Sequence, residues 1–139
     1  MLSDDQACPC GSRKTYAACC EPLHKSPGSA TTAETVMRSR YAAYVLGLVD
    51  YLVATTHPSK RYKDLATSFQ RTFESIQWMG LEVCGTSQGG AGEKTGKVEF
   101  KASYVQNGKH SVHHEHSRFK RHADAWHYLD GKIIDRPNQ

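Results

Sequence analysis

The sequence predicts an α+β fold: a small cysteine-rich knuckle at the N-terminus, then a cone-shaped domain of about three helices packed on a curved four-stranded antiparallel sheet. Three observations carry that reading. Four of the five cysteines fall within the first twenty residues. Apolar side chains then recur at helical spacing between about residues 31 and 75. From Leu81 onward they alternate with polar ones, with a hairpin signal at Asn107-Gly108.

The knuckle comes first. CPCGSRKTYAACC spaces its cysteines as C-x-C, eight residues, then C-C, placing Cys8, Cys10, Cys19 and Cys20 as ligands for one structural zinc ion. The tight C-x-C lets two sulfurs face one point, and Gly11 and Ser12 permit a turn whose N–H groups donate to sulfur. A short helix or turn over 16–20 brings the second pair back, and Arg13 and Lys14 set positive charge beside the thiolates. Two other readings stand beside this one: a pair of disulfides, and His24 in place of Cys20 as fourth ligand. The same thirteen residues resemble the SEC-C motif, the zinc module at the tail of the SecA translocation ATPase and on many other proteins. All four ligand positions match, as do Gly11, Ser12 and Lys14 of its G-S-x-K. The resemblance implies zinc binding and contacts with a protein partner or the ribosome.

Pro22, Ser26, Pro27, Gly28 and Ser29 read as a linker, which divides the chain into a knuckle over 1–28 and a second domain over 29–139. Thr31-x-x-Glu34 reads as a capping box opening a helix through Met37, Tyr41, Tyr44 and Val45, which Gly47 ends. Asp50 is the expected cap of a short helix bearing Tyr51 and Leu52, stopped at His57-Pro58. A third helix is expected from about Lys60, with Tyr62, Leu65, Ala66, Phe69 and Phe73 on one face. Leu81 and Val83 mark the first strand, and the Gly-rich GGAG lacks a following helix, so it is a turn and not a nucleotide motif. Val98, Phe100, Ala102 and Tyr104 alternate on the second strand, and His113, Glu115, Ser117 and Phe119 on the third. A turn at 122–125 leads to a fourth strand that Asp130-Gly131 closes.

This half is similar to the YchJ family, in MRSRYAAYV, Tyr51-Leu52, Thr56-His57-Pro58, Trp78-x-Gly80-Leu81, Glu115-x-Ser117-Arg118-Phe119, Trp126-x-Tyr128 and Asp130-Gly131. The resemblance covers nearly the whole chain. It implies a SEC-C motif joined to a domain like nuclear transport factor 2 and SnoaL, and it brings fold and metal but no reaction. Many members carry a second SEC-C motif at the C-terminus, whereas this sequence ends at Arg136-Pro137-Asn138-Gln139.

Such a sheet wrapped on helices leaves a pocket, with Arg38, Tyr41, Trp78, Glu115 and Tyr128 as its expected lining. Glu115 in an apolar cone is a candidate acid or base, with a pKa raised by desolvation; the alternative is a buried ion pair with Arg38 or Arg40 that fixes the fold. Arg118 points away from it by strand alternation. His57 is the second catalytic candidate; it either caps the preceding carbonyls or faces the pocket mouth. Cys84 reads as a small buried hydrophobe. His114 and His116 share a strand face, either as hydrated outward residues or as a chelating pair. Lys97, Lys101, Lys120 and Arg121 read as solvated face residues.

A formal charge of +4 is mild and scattered, and gives no nucleic-acid signal. No run approaches the roughly 18 apolar residues of a membrane span, and the acidic MLSDDQ start is no secretory signal. The expectation is a cytoplasmic protein with reduced thiols. Two functions compete: a binding module that meets a protein partner through the zinc knuckle, with the cone as scaffold or dimer face, and a small-molecule site or acid–base enzyme using Glu115 and His57.

Overall fold

The computed structural model describes residues 5–134. The acidic start over 1–4 and the end at Arg136, Pro137, Asn138 and Gln139 lie outside the described residues. A 3₁₀ turn, Tyr16–Ala18, leads into α1, Cys20–Lys25. Then come α2 (Ala33–Leu46), α3 (Val49–Ala54), a second 3₁₀ turn (Pro58–Lys60) and α4 (Leu65–Ser75). Four strands follow: β1 (Gln77–Gln88), β2 (Thr95–Gln106), β3 (Lys109–His122) and β4 (Ala125–Ile133). They form one antiparallel sheet in the order β1-β2-β3-β4. The α+β expectation holds, with three of the four α-helices after residue 29.

Helix α2 is the centre of the molecule. Alanine, Met, Arg and Leu favour the helix, and Thr32 caps it by accepting from the Thr35 N–H at 3.1 Å. The cap is therefore Thr32, one residue beyond the expected Thr31. Gly47 ends it in the left-handed region (φ 73°), where its N–H closes on the Ala43 carbonyl. Val36, Met37, Tyr41 and Ala42 pack on the sheet side with Val98, Ala102, Phe119 and Trp126. Ala43 turns to a second cluster with Leu52, Leu65 and Phe69. Burying the larger of these side chains stabilises the fold by about 1.5–3 kcal/mol each.

Several local expectations fail for identifiable reasons. Helix α3 starts at Val49 with Leu48 as its cap, so Asp50 sits in the first turn instead of capping it. The third helix of the cone begins at Leu65 and not near Lys60, because Pro58–Lys60 forms its own 3₁₀ turn. Residues 20–25, part of the expected linker, form α1; Pro22 falls in the first turn, where a missing N–H costs nothing. β4 runs past Asp130-Gly131 to Ile133.

The hairpin turns are as expected. Asn107 and Gly108 (φ 54° and 76°) turn β2 into β3, and Ala123 and Asp124 (φ 52° and 63°) turn β3 into β4. Three bulges bend the strands. Met79 and Cys84 are the extra residues on β1. Leu129 is the extra residue on β4, between the pairs Arg118–Asp130 and Phe119–Tyr128. Residues 55–57 lie along the outer edge of β4: the Tyr128 N–H donates to the Thr55 carbonyl and the His57 N–H to the Tyr128 carbonyl, both at 2.8 Å.

Cys84 is exposed, not buried. Leu81 and Val83 face the core, so the next side chain points to solvent, where the bulge keeps it beside Glu99. Arg121 also departs from expectation. It lies over the Trp126 ring at 5.0 Å and donates to the Ala91 carbonyl, instead of extending into water.

Candidate metal centre and pocket

Residues 6–16 form a minimal hairpin. The Cys8 N–H donates to the Lys14 carbonyl at 2.9 Å and the Tyr16 N–H to the Gln6 carbonyl at 2.9 Å. Gly11 and Arg13 take left-handed φ values at its tip. This turn aims Cys8 and Cys10 at the pair Cys19 and Cys20 that follows the 3₁₀ turn, and the four sulfurs lie within 4.8 Å of one another. Cys10 and Cys19 are 3.7 Å apart, and Cys19 and Cys20 3.8 Å. A tetrahedral ion with metal–sulfur bonds of about 2.3 Å needs edges of about 3.8 Å. The cysteines are free of disulfides, so the set fits a metal ion and not the alternative pair of bridges.

The electrostatics agree. Hydrogen bonds from Cys20 and Cys8 hold the Cys10 thiol far below its ordinary value, while donating to Cys10 pushes Cys20 up and Cys8 to about 11. Sulfurs this close share one negative charge unless a cation lies between them. The Ser12 hydroxyl reaches the Cys19 sulfur at 3.2 Å, and the Ser12 N–H lowers Cys10 further. His24 is not a ligand. Its Nδ1 meets the Tyr16 hydroxyl at 2.7 Å and its Nε2 the Ser39 carbonyl at 2.8 Å, which fastens the knuckle to α2. Arg38 adds a second tie, donating to the Cys10 carbonyl at 2.9 Å while paired with Glu34 at 3.0 Å. Cys8, Cys10 and Cys20 are buried in the same cluster as Val36 and Met37.

Between α2, α4 and the sheet lies a cavity of about 730 Å³. Of the five residues expected to line it, Tyr41, Trp78, Glu115 and Tyr128 do. Arg38 does not, because it points to the knuckle; Arg40 takes its place in the lining. Arg40 is buried, donates to the Leu52 carbonyl at 2.9 Å and to Thr55 and Thr56, and stacks on the Tyr128 ring at 4.8 Å. The Leu52 carbonyl also accepts from the Thr56 hydroxyl at 2.8 Å, so Arg40 joins a network that ties the end of α3 together. Neither arginine forms an ion pair with Glu115.

Glu115 is 7% exposed. His113 donates to one of its oxygens at 2.8 Å, and Ser117 (2.5 Å) and Tyr128 (2.9 Å) donate to the other. Burial would push its carboxyl up; the three hydrogen bonds outweigh that and hold it below the ordinary value, contrary to the sequence expectation. Burial and the adjacent carboxylate push the Tyr128 hydroxyl strongly up, so it stays a donor.

Gly131 makes this possible. The Leu129 bulge turns it inward opposite Ser117, and a Cβ there would lie 2.0 Å from a Glu115 oxygen. The sequence reading has Asp130-Gly131 closing the fourth strand, with no role beside Glu115. His57 is not in the cavity lining. It caps the 3₁₀ turn that follows it, accepting from the Ser59 N–H at 3.1 Å, and its ring packs against His122 at 5.2 Å. That removes it as partner to Glu115. Arg118 points outward, as expected, and pairs with Asp130 at 2.6 Å.

Residues 6–22 match the model of the SEC-C motif, and residues 32–131 match that of the YchJ middle NTF2-like domain. A UPF0225 protein of Geobacter sulfurreducens is 43% identical over 124 residues, covering 89% of this chain and 77% of that one. The solution structure of a SEC-C motif containing protein from Rhodopseudomonas palustris superposes with a TM-score of 0.82 at 40% identity, covering 92% of this chain and 98% of that one. The crystal structure of another from Psychrobacter arcticus gives 0.76 at 28% identity, covering 100% and 89%. With knuckle, helices and sheet all matched in one continuous alignment, the chain belongs to the YchJ, or UPF0225, family.

Proposed function

We propose that the protein binds a small, largely apolar organic molecule in the cone, and that one zinc ion on Cys8, Cys10, Cys19 and Cys20 fixes the knuckle against α2. The zinc is structural: four thiolates complete a tetrahedral shell, three of them are buried, and no position is left for substrate. The observation that carries the ligand reading is Glu115. A carboxylate offers about four acceptor sites, and His113, Ser117 and Tyr128 occupy three. One remains for a donor on the ligand, within a cavity walled by Met37, Phe69, Phe100 and Phe119. The Trp78 indole N–H, in the same wall, is buried without an acceptor among the described residues, so an acceptor on the ligand has a place as well. Binding is favoured over acid–base catalysis because a carboxyl held below its ordinary range is a weak base near neutral pH.

Native mass spectrometry of protein from its own host tests both parts: the expected species carries zinc and a discrete small mass shed on mild activation. The apolar probe anilinonaphthalene sulfonate should be taken up, and uptake should fall in Ala102→Phe, which fills the cavity. Failure to find a small mass together with equal uptake by the variant ends the ligand reading; a zinc-free species ends the metal reading.

A second reading keeps a protein partner for the knuckle, supported by Arg13 and Lys14, both exposed at its tip. An acidic surface is the matching partner, and charge reversal at both positions should abolish its capture while leaving zinc in place.

A further inference from the structure

We infer that the outer face of the sheet holds a second metal site, for a divalent transition ion of the zinc type, built from Cys84, Glu99 and His114 with His116 beside them. The face is opposite the cavity and shares no residue with the knuckle. Cys84 on β1, Glu99 on β2 and His114 on β3 each offer a donor atom, and these atoms lie within 4.8 Å of one another. The topology makes this convergence. Glu99 pairs with Gly85 on one side and with His116 on the other, so its carboxylate stands at the middle of the three strands. The bulge at Cys84 leaves two residues of β1 opposite Glu99, and both side positions of such a bulge lie on the same face as the residue they oppose. Continued regularly from the Val83–Phe100 pair, the ladder sets Cys84 opposite Glu99; the bulge keeps it there and brings Gly85 opposite as well, so no bulky side chain follows Cys84 into the site.

The two imidazoles meet the same carboxylate. Nε2 of His114 is 2.6 Å from one Glu99 oxygen and Nε2 of His116 is 3.1 Å from the other. A tetrahedral ion with bonds of about 2.0–2.3 Å spaces its donors about 3.3–3.8 Å apart. The donor atoms already lie within about an ångström of that spacing, which leaves only side-chain adjustment for an ion to make. One thiolate, imidazole nitrogen and a carboxylate is a donor mixture suited to zinc and poorly suited to calcium or magnesium, which take oxygen ligands. Cys84 and His116 are exposed, and Glu99 and His114 are half-buried, so an ion reaches the site from solvent and keeps room for water.

The test is a metal count read as a difference, which makes it independent of whether the knuckle holds its own ion. Reduced wild-type protein, Cys84→Ser and His114→Ala are equilibrated with chelator-buffered Zn²⁺, and bound zinc is measured per chain. Each variant is expected to hold one ion fewer than wild type. With Co²⁺ as probe, the thiolate-to-cobalt absorbance of Cys84→Ser should fall below that of wild type by the share of one sulfur, any band from the knuckle being the same in both. An equal zinc count in wild type and either folded variant overturns the inference, as does an unchanged cobalt spectrum. Far-ultraviolet circular dichroism checks the fold, and His114→Gln replaces His114→Ala should the latter lose its sheet signal.

Discussion

The knuckle and the cone solve opposite problems with buried polar groups. In the knuckle, four sulfurs point at one another and their outer surface is covered by α2, by Arg38 on the Cys10 carbonyl and by His24 on the Ser39 carbonyl. The sulfurs themselves are left with no open position beyond one shared ion. In the cone, Glu115 also gathers three partners, but it does so on the wall of an open cavity and keeps an acceptor site free. The same chemistry of convergence thus closes one region on itself and, in the other, lines a cavity.

The hardest blow to this contrast falls on the knuckle. Cys20→Ser should remove the metal and lower the midpoint of thermal unfolding by more than about 10 °C, because binding energy at such a site is folding energy. Differential scanning calorimetry with metal analysis reads it; a midpoint unchanged after metal loss would mean that α2 holds the knuckle without the ion.

Next comes Gly131→Ala. Its Cβ would collide with the Glu115 carboxylate. The expected cost is about 1–3 kcal/mol in urea unfolding, with loss of probe uptake in the cone and no loss of knuckle metal. Glu115→Gln is gentler, since its shape is kept; about 1–2 kcal/mol is expected from the weakened hydrogen bonds.

The pH profile of Glu115→Gln sharpens the point. Because the folded carboxyl titrates below its unfolded value, its stabilisation is present above the ordinary glutamate range and is lost as pH falls through the folded pKa. Wild-type thermal midpoints should therefore drop more steeply on acidification than those of Glu115→Gln. Parallel curves would mean that Glu115 is not held below its ordinary range. The smallest effect is assigned to Arg118→Ala on the outward face: it breaks the exposed pair with Asp130 and should leave both regions, by metal count and probe uptake, as they were.

Much of this arrangement is legible in the residues. The C-x-C and C-C spacing names the four sulfurs, and strand alternation places Glu115, Ser117 and Phe119 inward and Arg118 outward. What escapes is what depends on a phase or a break in a ladder. Helix α2 is buried on several sides, so no continuous polar face sets its rotation, and Arg38 and Arg40 could not be told apart from spacing alone. Gly131 and Cys84 owe their positions to bulges, which shift a strand by one residue and carry no compositional mark of their own. The sign of the Glu115 shift required three donors, and two of them, Ser117 and His113, were visible on its own strand face. The third, Tyr128, comes from a neighbouring strand whose register the Leu129 bulge decides.

The two margins of the sheet also differ. Residues 55–57 bond both backbone groups of Tyr128 on β4, which blocks that part of the margin as a template for another chain. β1 has no such cover from a neighbouring strand, and it carries two bulges, at Met79 and Cys84. Each throws the free N–H and C=O groups out of step with any straight strand that approaches, which discourages edge-to-edge aggregation. Deleting Met79 would restore a regular edge over the first half of β1, and the expected outcome is a protein whose aggregation rises more steeply with concentration than wild type's.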